Sequence, residues 1–233
     1  MTQIINWINQ VVVAVLHNDL MTLVKLIGAY GVFFIVFAES GLLIGFFLPG
    51  DSLLFTAGLL SSPAFGIFNI WHLLIGNLLA AVIGDNVGYE FGKRAGRNLF
   101  KREKSLLFNP ENVMKAQEFY EKHGGKVIIL ARFMPVVRTF APIVAGIGHM
   151  DHKRFMFFNF IGGSLWAVGL TALGYFLGNI IPHDEVDKYL LPIILGIVLI
   201  SVAPPIYHYY KEHNRSLLEI IIEKIKRFFK YQI

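Results

Sequence analysis

Five ionisable side chains lie in stretches that are otherwise almost wholly apolar: Glu39, Asp51, Asp85, Arg132 and Arg138. Arginine keeps its charge at physiological pH, and its planar fork matches a phosphate or carboxylate through two parallel hydrogen bonds. Arg132 and Arg138 stand six residues apart on either side of Pro135, so a kink there would aim both at one anion. A carboxyl group in a dry site takes up or releases a proton as its charged partner comes and goes. Glu39 and Asp51 therefore have the means to couple protons to a binding event. Together these residue types suit a proton-coupled carrier of an anionic headgroup. They would also serve as plain ion pairs, Glu39 with Arg132 and Asp51 with Arg138, locking two segments together. Buried pairs are weak stabilisers, which favours the functional reading. Asp85, in Gly84-Asp85-Asn86, either lines the same cavity or sits in water at the end of its element.

The elements that must position these charges are apolar. The 233-residue chain is 55% hydrophobic and 14% aromatic, with 16% charged residues and a mean hydropathy of +0.57. A soluble domain carries about 25% charged residues. No Asp, Glu, Lys or Arg occurs from Ser52 to Gly84, from Phe155 to His183 or from Tyr189 to Tyr210. Each stretch exceeds the roughly 20 residues that cross a bilayer as a helix, so the chain reads as a polytopic, all-α membrane protein. A lone charge at the bilayer centre costs about 2.5–3.5 kcal/mol on insertion scales. Five unpaired ones would cost on the order of 10 kcal/mol or more, comparable to a whole domain's stability. They must pair, hydrate or bind something.

Charge asymmetry predicts orientation. Lys93, Arg94, Arg97, Lys101, Arg102 and Lys104 cluster against one acid, Glu103, and Lys211, Arg215, Lys224, Lys226, Arg227 and Lys230 mark the tail. Asp184, Glu185 and Asp187 make the short loop between them acidic. The positive-inside bias puts both basic regions, and hence the C-terminus, in the cytoplasm. The net charge of +5 then reports loops, not nucleic-acid binding. Spans at about 72–92, 155–180 and 189–210 follow.

Two further segments read as broken. Residues 31–60 are interrupted at Leu48-Pro49-Gly50, and residues 124–150 at Pro135 and Pro142. Their arms of about 10–15 residues suit re-entrant hairpins better than crossing helices. Gly31 to Glu39 aligns with Gly124 to Arg132, and Pro49 falls on Pro142 at the same offset. With a small deletion Ala57-Gly58 falls on Ala145-Gly146, and Gly88, Tyr89 and Gly92 match Gly174, Tyr175 and Gly178. The expected fold is an inverted repeat, with two oppositely oriented hairpins followed by spans, as in secondary transporters. Within a single membrane domain, 20–92 forms the first repeat and 93–123 a cytoplasmic basic loop and helix. Residues 124–180 form the second repeat, 189–210 the last span and 211–233 an amphipathic tail.

The periphery reads as anchoring. Asn109-Pro110 opens a helix ending at Gly124-Gly125. Leu218, Ile221, Ile222, Ile225, Phe228 and Phe229 share one face of the tail, and Ile5, Ile8, Val12 and Val15 one face of the N-terminal segment. That segment lacks a basic leader region, so insertion is expected to rely on internal spans. His149 and His152 flank Met150-Asp151 in what reads as a solvated loop, and the other histidines have no metal-ligand spacing. The chain has no cysteine, P-loop, Gly-x-Ser-x-Gly or His-Glu-x-x-His. No metal, cofactor or enzyme activity is expected.

Three motifs resemble the DedA family. Ala38-Glu39-Ser40 with Phe47-Leu48-Pro49-Gly50-Asp51-Ser52-Leu53-Leu54 and Ala57-Gly58 is similar to its first signature. Gly84-Asp85-Asn86-Val87-Gly88-Tyr89 with Gly92 is similar to its second, and Ala131-Arg132-Phe133-Met134-Pro135-Val136-Val137-Arg138-Thr139 with Ala145-Gly146 to its third. Asn159 and Trp166 also fit, and the resemblance covers about residues 20–210 in order. It departs where members often carry a proline ahead of the Pro-Gly turn and this chain has Ile44-Gly45. The resemblance implies a bacterial inner-membrane transporter of lipids, undecaprenyl phosphate or in some members phosphatidylethanolamine. Members resemble, at a distance, eukaryotic lipid scramblases.

By that resemblance Glu39 and Asp51 couple protons, while Arg132 and Arg138 hold the phosphate. Asp85, Thr139 and Asn159 are expected to line the cavity. Pro49, Gly50, Pro135 and Gly146 are expected to shape and pack the hairpins. Membrane lipids and protons are the expected partners, and pairing of two copies stays open. Alternatives are a phospholipid scramblase without proton coupling, a lipid phosphatase lacking the usual histidines, and an ion or drug exchanger.

Overall fold

The computed structural model describes residues 2–17, 19–42, 45, 48–99, 124–180, 192, 193 and 196. The expected helix before Gly124, the acidic loop, nearly all of the last span and the amphipathic tail lie outside the described residues. Within them the chain is all-helical: α1 Thr2–Leu16, α2 Leu20–Gly41, α3 Gly50–Leu60, α4 Ile70–Leu99, α5 Lys126–Ala131, α6 Pro135–Ile147, α7 His152–Gly163 and α8 Gly169–Gly178. A π-helical turn, Ser164–Val168, joins α7 to α8, making one rod from His152 to Gly178.

Among the described residues three helices are long and apolar enough to cross a membrane: Leu20–Gly41, Ile70–Ala95 and His152–Gly178. The last two are the spans expected from the sequence. The first adds a candidate span, because the arm expected to start at residue 31 runs on from Leu20. It is nonetheless broken at Gly28, whose φ of 66° and ψ of −177° suit glycine alone. Asp19 caps its start by accepting a hydrogen bond from the Thr22 amide at 3.0 Å. The expected N-terminal helix is α1, with Ile5, Ile8, Val12 and Val15 exposed. The Trp7 indole ties α1 to α2 by donating to the Leu26 carbonyl at 3.1 Å.

Both expected breaks occur, with one correction. Pro49 is the N-cap of α3 and Pro135 the first residue of α6. Pro142, expected to break the second segment and to match Pro49, instead lies inside α6. Its missing N–H releases only the carbonyl one turn back, on Arg138, and packing carries the helix through. Pro49 and Pro135 are therefore the corresponding breaks.

Glycines set the packing. α3 lies on α8: a β-carbon at Gly58 would fall 2.0 Å from the Thr171 carbonyl oxygen, and one at Gly174 would fall 2.0 Å from that of Phe55. α6 lies on α4 in the same way, with Gly146 against the Tyr89 carbonyl and Gly92 against that of Ile143, each at 2.1 Å. Without side chains between them the backbones approach closely, the usual device of membrane helix pairs. Each short helix thus packs on a long helix from the other half of the chain. Val24, Val32, Val36, Leu53, Phe55, Leu59, Leu73 and Trp166 fill the core between α2, α3 and the two long rods. Outward, Trp71, Ile75, Leu79, Ile83, Val87 and Phe91 form an exposed ridge along α4.

Candidate functional site

The breaks at Pro49 and Pro135 bring two helix starts to the end of α2. Asp51 stands in the first turn of α3, Arg138 in the first turn of α6, and Glu39 near the last turn of α2. Arg138 bridges both acids: Nη1 donates to Asp51 Oδ1 at 2.6 Å and Nη2 donates to Glu39 Oε1. A β-carbon on Gly50 would fall on the Glu39 carboxylate, 1.4 Å from Oε2, so a larger residue there would push the Glu39 side chain aside.

Arg132, in the break between α5 and α6, reaches the middle of α4. Its Nη2 donates to Asp85 Oδ2 and Asn159 Oδ1, each at 2.5 Å, and lies 3.3 Å from the Ala81 carbonyl. Asn159 in turn donates to the Val82 carbonyl at 3.1 Å. Gly162 and Gly163 make room for the guanidinium, since a β-carbon on Gly162 would lie 3.1 Å from Arg132 Cδ.

The pairing corrects one expectation and resolves another. Asp51 does pair with Arg138, but Glu39 joins them there, and Arg132 takes Asp85 instead of Glu39. Asp85 is an interior residue and not a water-exposed one. Arg132 is 2% exposed, Arg138 and Glu39 3% and Asp85 1%, whereas the Asp51 side chain keeps 13% of its surface. Thr139 is buried beside Arg138 in sequence, and its hydroxyl has no hydrogen-bond partner among the described residues. The same holds for Glu39 Oε2, Asp85 Oδ1, Arg138 Nε and both Nε and Nη1 of Arg132. Pro49 and Gly50 shape the approach of α3, Pro135 starts α6, and Gly146 lies away from the charges in the α6–α4 seam.

Sequence reasoning left Trp166 out of the site. Its Nε1–H donates to Asp51 Oδ1 at 2.7 Å, and its ring centre lies 4.3 Å from the Arg138 guanidinium carbon and 5.7 Å from that of Arg132. The signal was available: a tryptophan seven residues after Asn159 on an apolar rod needs a partner for its N–H. A second buried polar pair, Asn77 donating to Thr171 Oγ1 at 3.1 Å, joins α4 to α8 and was also missed. At the other end of α4, Tyr89 donates to the Met150 carbonyl and stacks on Phe155, while His152 meets Asn86 at 2.9 Å. His152 remains exposed, as expected, while also meeting α4. Among the described residues no three metal-ligating side chains cluster.

Residues 48–176 match the model of the VTT domain, a stretch that contains Asp51, Asp85, Arg132, Arg138 and Trp166. The protein DedA of Escherichia coli (strain K12) is 43% identical over 208 residues, covering 87% of this chain and 93% of that protein. The chain belongs to the DedA family. Other relatives carry membrane names. An uncharacterized membrane protein of Mycobacterium leprae (strain TN) is 44% identical over 185 residues, 78% of this chain and 81% of that one. The inner membrane protein YqjA of Escherichia coli (strain K12) is 37% identical over 148 residues, 63% of this chain and 66% of that one. No solved structure matches. With three candidate spans among the described residues and relatives that carry membrane names, this DedA-family chain is a membrane protein.

Proposed function

We propose that this chain is a transporter, not an enzyme, which moves an anionic lipid phosphate between the leaflets of the bacterial cytoplasmic membrane. Undecaprenyl phosphate is the substrate that the family resemblance favours. One observation carries the reading: two buried arginines meet at helix breaks with three of their nitrogens unpartnered among the described residues. Charged donors are costly to leave unmade in a dry interior, and a phosphate supplies the acceptors they lack. The headgroup would take Arg138 and Arg132 from their carboxylates, with Thr139 and Asn159 at its rim.

Proton coupling has a separate support. Glu39, Asp51 and Asp85 are three carboxyls against two guanidiniums, so the buried cluster carries one negative charge more than it can neutralise. A bound proton removes that excess. Entry of a phosphate displaces the carboxylates and invites further protons, which links the two fluxes. The two broken segments act in this reading as oppositely oriented re-entrant hairpins of an inverted repeat, with the C-terminus cytoplasmic. Their reciprocal packing on each other's spans supports that symmetry.

A second reading, a scramblase without coupling, draws on the mixed lining: acids for an ammonium and arginines for a phosphate also fit a zwitterionic headgroup. Proteoliposome transport separates them. Labelled undecaprenyl phosphate and phosphatidylethanolamine are followed with and without a pH gradient, beside Glu39→Gln and Arg138→Ala. The carrier reading expects prenyl phosphate to move, to respond to the gradient and to stall in both variants. Equal, gradient-blind movement of both lipids would overturn it.

A further inference from the structure

The rod from α7 to α8 changes face at its π-helical turn. Before the turn Asn159, Gly162 and Gly163 are buried facing Arg132; within it Trp166 and Ala167 are buried; after it the buried positions are Thr171, Gly174 and Gly178, facing α3. A regular helix would carry the first stripe on through positions 170 and 173, which lie outside the second. The extra residue of a π turn moves the stripe by one position. The rod can therefore serve the charge cluster with one half and close-pack α3 with the other. Trp166 stands at this changeover.

Its contacts join both arginine centres. The indole N–H shares Asp51 Oδ1 with Arg138, so the acid is held from two directions. The ring face receives the Arg138 guanidinium at cation–π distance and that of Arg132 further out. Glu39 faces the same Arg138 from α2, and Asp85 faces Arg132 from α4. We propose that Trp166 is a positioning residue: it keeps Asp51 and both guanidiniums aligned while the arginines exchange carboxylate for a phosphate headgroup. This deepens the carrier reading above and rests on it for the identity of the exchange. A cation stacked on an indole keeps a partner when its carboxylate leaves, and the indole N–H keeps one for Asp51 when the arginine turns away.

The native indole reports on this directly. Trp7 and Trp71, both exposed, are the other two tryptophans; replacing each with Phe leaves Trp166 as sole emitter. Titration with a C15 prenyl phosphate should shift or quench its emission saturably, whereas the matching prenyl alcohol should not, and Arg138→Ala should abolish the response. In transport, Trp166→Phe keeps a ring but removes the N–H. Its maximal rate should fall roughly tenfold, the scale of one charge-assisted hydrogen bond, with the half-saturating concentration changed less than threefold. Trp166→Leu should lose both rate and saturation. An indole blind to the prenyl phosphate in a protein that still transports it would refute the positioning role and leave the carrier intact. A saturable response without transport would leave Trp166 at an anion site and remove the carrier. Phe and Leu variants with equal rates would reduce Trp166 to filler and overturn the proposal.

Discussion

Arg132 meets both of its side-chain acceptors through a single nitrogen, Nη2, and leaves its other two without partners among the described residues. A lysine there would keep the charge and could reach Asp85, but would offer no second arm to a phosphate. Arg132→Lys should therefore accumulate and fold normally while transporting at least tenfold more slowly; full activity at normal protein levels would defeat the geometric argument. The identity of these charges was legible in the sequence, because an arginine amid apolar residues advertises its own cost. Their partners were not. Glu39 was matched to Arg132 through sequence correspondence, yet contact depends on where the breaks aim the chain. The turn at Pro135 sends Arg132 toward α4 and Arg138 back toward α2 and α3. Trp166, matched to the family pattern, was left out of the site because a buried aromatic on an apolar rod ordinarily signals packing alone.

Helix ends supply a test that does not depend on transport. Hydrogen bonds from Thr22 hold the Asp19 carboxyl below its ordinary value of 3.8. A lowered carboxyl stabilises the fold fully above the unfolded-state value, and that contribution is lost as pH falls through the folded-state value. Asp19→Ala should cost about 1 kcal/mol at neutral pH, as helix caps do. Asp19→Asn should keep most of the cap and flatten the acid-side loss. Thermal unfolding in detergent between neutral and acid pH checks both, and an Ala variant as stable as the parent would remove the cap's role. The breaks at Pro49 and Pro135 were readable because proline lacks a donor. Pro142 misled because the sequence does not show that packing against α4 holds α6 together across it. The π turn left no trace, since Ser164–Val168 carries neither proline nor charge.

Taken as an inverted repeat, the molecule is symmetric in kind but not in register. The Phe55 carbonyl closes on Gly174, whereas that of Ile143, its counterpart three residues before the pairing glycine, closes on Gly92. Gly92 corresponds to Gly178, so the two seams differ by about one helical turn. In the proposed carrier, exchange of the two registers would move α6 along α4 by about one helical turn. Spin labels at Phe140 on α6 and Leu79 on α4, both exposed, should then draw about 5 Å closer when transport is driven; a separation that stays fixed during turnover would refute sliding at this seam. The ridge from Trp71 to Phe91 gives that motion a frame. It rises about 30 Å, the thickness of a bilayer's hydrocarbon core, so α4 is dimensioned as a post matched to the membrane. Thinning the bilayer tilts such a post, and with it the seam that carries α6 and the Asp85 that holds Arg132. Lipid tail length thereby becomes a mechanical setting of the protein, acting on the buried Arg132–Asp85 pair without touching it.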